Sequence, residues 1–183
     1  MIEQELTYQD LRIPSSEIYE AMGYKDSIPD QMVIDETNTL LKRITPLLRP
    51  RFAFFFMGGT LDIEKETLSV LQSIHPPTVN LIQDTIPTRS PEQNTFSTQS
   101  KSTVFSVGKT IARQLRGSEA FVFFAATAGT EFEVFQHTLQ QEGDMVKIYI
   151  ADSLGSIIAE KTADCMEVAL AEYIREKNWK HTN

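Results

Sequence analysis

Two short segments and one helical stripe hold the residue types that could do chemistry. Gly108-Lys109-Thr110 matches the tail of a phosphate-binding loop, in which backbone N–H groups wrap phosphate and a lysine reaches its oxygens. The full motif needs a second glycine five positions earlier, and Thr103 stands there, inside what reads as a strand. A strand-to-helix turn is the plainer reading. Ala125-Ala126-Thr127-Ala128-Gly129-Thr130-Glu131 follows an aromatic run and opens a helix. Small residues permit close backbone approach, and a helix N-terminus can hold an anion. Capping by Thr130 is the alternative.

The stripe is Asp152, Ser156, Glu160, Asp164 and Glu167, which share one arc of a helix. Carboxylates so spaced can position a cation or a sugar hydroxyl, or simply form a solvated face. Ile150, Leu154, Ile157, Ile158, Cys165, Val168 and Ala169 share another arc, which makes Cys165 a small core residue. A single cysteine excludes an internal disulfide and a thiolate-built structural metal site. His75, His137 and His181 show no ligand spacing, so no metal ligand is assigned.

These residues must be held by one ordinary domain. The chain has 183 residues, of which 41% are hydrophobic, enough to build a core and to exclude disorder throughout. Seventeen basic residues against 25 acidic leave a net charge of −8. That excess of carboxylates argues against a nucleic-acid partner. The acidic start, MIEQELTYQD, is no signal peptide. No apolar run approaches the roughly 18 residues of a membrane span. A cytoplasmic protein without a membrane partner is the expectation.

Residues 1–13 read as an arm or edge strand. Ser15 and Ser16 can cap a short helix over 17–22, with Gly23 behind it. Asp30 can cap a second helix reaching residues 41–44, where Met32, Val33, Leu40, Leu41 and Ile44 are apolar. Arg51-Phe52-Ala53-Phe54-Phe55-Phe56-Met57 reads as a strand buried on both faces, turned by Gly58-Gly59. Residues 66–74 read as a short helix, 78–81 as a strand and 87–101 as a long mobile surface loop. A strand over 103–107, a helix over 109–115 ended by Gly117, and a second central buried strand over 121–127 follow. A helix over 131–141 closes at Gly143. Asp144 then opens a long helix to about residue 177, with Gly155 a mild cost of about 1 kcal/mol against alanine. Residues alone give a mixed α/β domain.

Three ordered groups of residues add a resemblance. The first is Ile13-Pro14 through Glu17, Gly23-Tyr24 and Pro50-Arg51. The second is Gly108-Lys109 through Leu115-Arg116-Gly117, running into Phe124-Ala125-Ala126-Thr127-Ala128-Gly129. The third is Tyr149 through Asp152-Ser153-Leu154-Gly155-Ser156, then Ala159-Glu160 and Ala163-Asp164. Together, across roughly residues 11–180, they resemble stand-alone homologues of the activation (reactivation) domain of vitamin B12-dependent methionine synthase.

The resemblance implies an α+β fold: a bent, mainly antiparallel sheet with flanking helices and a long C-terminal helix, in a single domain over 1–183. It implies that the domain binds S-adenosylmethionine and docks on the cobalamin domain of methionine synthase. There it helps restore an inactive cob(II) cofactor, with electrons from flavodoxin or another reductase. Positioning a sulfonium methyl dominates such a task, so the chain is not expected to be catalytic alone. Ala159-Glu160 matches a family Ala-Glu whose carboxylate contacts S-adenosylmethionine, which makes Glu160 the ligand candidate. The family's Arg-x-Ser-Pro-Gly-Tyr motif has no counterpart before Trp179-Lys180-His181-Thr182-Asn183, so the resemblance implies a domain incomplete at its C-terminus. A non-catalytic interaction module that keeps the fold without the ligand is the alternative. A hydrolase or nucleotide enzyme has only the broken phosphate-loop motif behind it.

Overall fold

The computed structural model describes residues 1–25, 27–71 and 102–180. Its elements, in chain order, are β1 (Ile2–Glu5), α1 (Ser15–Ala21), α2 (Gln31–Ile44), a 3₁₀ turn (Thr45–Leu47), β2 (Arg51–Asp62), β3 (Thr67–Leu71), β4 (Ser102–Ser106), α3 (Gly108–Gln114), β5 (Ala120–Thr127), α4 (Thr130–Glu142) and α5 (Met145–Glu176). The fold is α+β, with a mainly antiparallel sheet, flanking helices and a long C-terminal helix, as the resemblance implied. The strands follow the order β1-β2-β3-β4, and β5 also pairs with β2. Among the described residues no helix is long and apolar enough to cross a membrane. The chain divides into two compact units, the first comprising described residues 1–55 and 123–180, the second 56–71 and 102–122.

In the first unit β1 runs antiparallel to β2, with Ile2 opposite Phe54 and Glu5 opposite Arg51. Period-two alternation sends Phe52 and Phe54 into the core while Phe55 stays 39% exposed. Leu40 and Ile44, four apart on α2, are fully buried, as are Leu139 of α4 and Ile158 of α5. Helix starts depart from expectation. Pro14 and Asp30 stand at the caps of α1 and α2 without a side-chain hydrogen bond, and Gly129, not Thr130, precedes α4. Asp144 does cap α5, its carboxylate accepting from the N–H groups of Val146 (3.1 Å) and Lys147 (3.2 Å).

In the second unit the expected helix over 66–74 is overturned, because residues 67–71 are strand β3. Leu68 and Val70 alternate into the interior, and two β-branched residues in five suit a pleated surface better than a helix. The pair Gly58-Gly59 makes no turn; it lies inside β2. Gly59 faces Val70, and a Cβ there would stand 2.5 Å from the backbone oxygen of Ser69. The turn comes later, where the Asp62 carboxylate accepts from Lys65 N–H at 3.0 Å. β4 continues the sheet with Thr67 opposite Ser106.

Two further expectations are corrected. β2 is buried on one face, not both, and β5 is not a buried strand: Phe121 is buried, but Phe124 is 58% exposed. The expected strand over 78–81, the mobile loop over 87–101, residues 72–74 of the expected helix, His75 and His181 lie outside the described residues.

Candidate functional site

The candidate chemistry of the first unit gathers on α5. This helix exists because Asp144 satisfies two of its first N–H groups and because Ile150, Leu154, Ile157 and Ile158 form a buried arc. The Asp144 carboxyl is held below its ordinary range, first by the Lys147 backbone N–H and then by the Lys147 side chain, 3.1 Å away. The opposite arc is as the spacing indicated. Asp152, Ser156, Glu160, Asp164 and Glu167 are all exposed, a solvated face. The apolar arc fades towards its end, with Cys165 half-buried and Val168 exposed. Burial, aided by the carboxylates of Asp164 and Asp10, pushes the Cys165 thiol above its ordinary pKa, away from nucleophile chemistry.

Two seams fix α5. Against α1, the Tyr149 hydroxyl donates to the Met22 carbonyl oxygen at 2.8 Å, and Lys161 Nζ lies 2.7 Å from the Glu17 carboxylate and 3.3 Å from Asp164. The bond to Glu17 is the main reason the Lys161 ammonium is held above the ordinary lysine range. Against α4, the seam closes at Gly155, where a Cβ would stand 2.5 Å from Cε1 of Phe132. The glycine expected as a mild cost is therefore a requirement of packing.

The small-residue segment 125–131 has a similar use. The Arg49 N–H donates to the Ala128 oxygen at 3.0 Å, and a Cβ at Gly129 would fall 3.0–3.1 Å from Arg49 atoms. Gly129 also has φ 108°, a conformation that side chains rarely adopt. The close backbone approach serves the chain itself. Gly108-Lys109-Thr110 is the first turn of α3, entered from β4 through Val107. Glu17, Tyr149, Gly155 and Ala128-Gly129, all quoted in the resemblance, are thus joints of the first unit.

Glu160 stands apart from the grooves. One groove, of about 220 Å³, lies between α4 and the first turns of α5, lined by Gln136, Gln140, Met145, Ile148, Tyr149, Ala151 and Asp152. Asp152 is two turns, about 12 Å along the helix, from Glu160. A wider groove of about 730 Å³ follows the β2–β3 hairpin, with Asp62, Glu64 and Lys65 on its wall. The Asp62 carboxyl is held below its ordinary range, chiefly by Lys65 N–H. His137 is exposed and contacts Gln141 at 3.3 Å. No cluster able to hold a metal occurs among the described residues. The α4–α5 groove was not read from the sequence. Its signal was a pair of glutamines four apart on α4, facing Tyr149 and Asp152 across a two-residue connection.

No family model matches the sequence, and no curated protein matches it either. Among solved structures the chain is similar to the crystal structure of the MetH reactivation domain bound to AdoHcy, at 14% identity and a TM-score of 0.51. The match covers 90% of this chain and 53% of that one, so the chain spans about half the length of the protein it resembles. At that identity the likeness establishes the fold.

Proposed function

We propose that this chain is an accessory reactivation module for a cobalamin-dependent methionine synthase, assisting reductive remethylation of the synthase's cob(II)alamin with S-adenosylmethionine. The fold likeness to a MetH reactivation domain carries the reading. The ordered residues of the resemblance support it, because several of them form joints of this chain's first unit. S-adenosylmethionine supplies an activated methyl on a sulfonium cation. The chain's part is to hold that cation, and Glu160 is the carboxylate assigned to it. The electron donor is flavodoxin or another reductase, and the setting is the cytoplasm.

One observation favours a second reading, an interaction module without ligand. Glu160 is exposed and lines neither groove. A single charge-assisted contact, of order 1.5–3 kcal/mol, does not offset the freedom a ligand loses on binding. Titration calorimetry separates the two. The reactivation reading expects binding of S-adenosylmethionine by the chain alone no tighter than about millimolar. It expects tighter binding once the cobalamin-loaded synthase is present, lost in Glu160→Gln. A complex with the synthase indifferent to S-adenosylmethionine and to Glu160→Gln would establish the second reading. No complex with the synthase would overturn the reactivation reading.

A further inference from the structure

The groove between α4 and α5 is unused by the proposal above. Its floor is closed by Ala151 and Ile148, its α4 wall carries the amides of Gln136 and Gln140, and its α5 wall carries Met145, Tyr149 and Asp152. Met145 is 73% and Tyr149 53% exposed, large apolar surfaces near the connected end of the α4–α5 hairpin. Methionine and tyrosine are enriched where proteins meet, methionine because its unbranched chain adapts to its partner. The Tyr149 ring is already oriented, since its hydroxyl is fixed to the Met22 oxygen. Pre-ordering reduces the entropy lost when a partner docks.

Shape and charge define the occupant. From Met145 to Asp152 the groove follows seven residues of helix, about 10 Å, which matches two turns of a partner helix seated through positions i, i+3, i+4 and i+7. Its lining holds the carboxylate of Asp152 and neither lysine nor arginine. Glu133, three residues before Gln136 on α4, is an exposed acid on the same side of that helix. The nearby Lys147 is engaged by Asp144 at 3.1 Å. Two copies meeting through this groove would set one acidic lining against another with no lysine or arginine in either, which disfavours self-association. We propose that the α4–α5 groove docks an amphipathic helix of a partner protein whose apolar stripe is flanked by lysine or arginine.

The test uses the full chain and two synthetic helical peptides with one leucine stripe, the first flanked by lysines and the second by glutamates. Binding is followed by amide chemical shifts. The lysine peptide is expected to bind, with shifts centred on Gln136, Gln140, Met145, Tyr149 and Asp152, and the glutamate peptide is not. Met145→Ser leaves the charge unchanged and is expected to weaken binding about tenfold. Asp152→Asn is expected to weaken it about threefold, and Glu167→Gln, on the exposed arc of α5, by less. Both substituted groove residues are exposed, and an unchanged Tm checks that each variant folds. Shifts centred elsewhere, equal binding of both peptides, or equal losses in Asp152→Asn and Glu167→Gln would overturn the proposal. So would a concentration-dependent dimer that Met145→Ser dissolves, because the occupant would then be a second copy.

Discussion

The long helix α5 is held by two seams of different kinds. Against α4 the seam is steric, with Phe132 occupying the space a side chain at Gly155 would need. Against α1 it is directional, with Tyr149 and Lys161 reaching specific oxygens of Met22 and Glu17. A steric seam resists an added atom, because a close-packed interior yields only at a cost. A polar seam at half-exposed positions tolerates loss of a partner, because water replaces much of what is removed. The two should therefore respond to substitution by different amounts and to different solution conditions.

The largest effect should come from the steric seam. Gly155→Val gains no more than about 0.5 kcal/mol of helix propensity but forces three carbons onto the Phe132 ring, with overpacking of about 3 kcal/mol. A net loss of stability in urea titration is expected. Net stabilisation would mean that α4 slides freely, and the contrast between the seams would fail. Next comes Tyr149→Phe, which removes one hydrogen bond at an accessible edge and should cost about 1 kcal/mol. A loss as large as that of a buried, unsatisfied group would show that water does not reach the Met22 oxygen.

The smallest effect belongs to Lys161→Met. Its ion pair is partly exposed to water, so a loss of at most about 0.5 kcal/mol is expected, largely screened at 1 M salt. The Lys161 ammonium is held above the ordinary lysine range in the folded chain. Its contribution is therefore complete below the unfolded lysine pKa, about 10.4, and lost as pH rises through the higher folded value. Equal differences between wild type and variant at pH 6 and pH 9 are expected. A difference that collapses between those values would place the titrating group elsewhere.

The contrast also shows what a sequence exposes. Asp144, the α4–α5 boundary and the buried arc of α5 were legible, because capping and helical period are local properties. The solvated acidic arc was legible for the same reason. The need for glycine at 155 was not, because Phe132 lies 23 positions away and nothing in the spacing connects the two. Residues 66–71 misled because a short apolar run suits either period, and β4, which settles the matter, comes from beyond residue 101. Phe54 and Phe124 sit in equally aromatic strings. One is buried and the other mostly exposed, according to what covers each face. For the site, the acids of α5 stood out by charge, while the groove beside Gln136 and Gln140 appears only when two helices are laid together.

The bond from Tyr149 to Met22 spans 127 positions of the chain. On a ribosome adding roughly 5–20 residues per second, Met22 is made about 6–25 s before Tyr149. Throughout that interval α1 lacks the helix it docks on, and Ile18 and Met22, buried in the finished protein, have no α5 to cover them. The α1 seam, whose halves lie 127 positions apart against 23 for Phe132 and Gly155, is thus the one that leaves its first half waiting longer during synthesis. A chaperone that reads exposed hydrophobic residues would find Ile18 and Met22 uncovered on this protein throughout that interval.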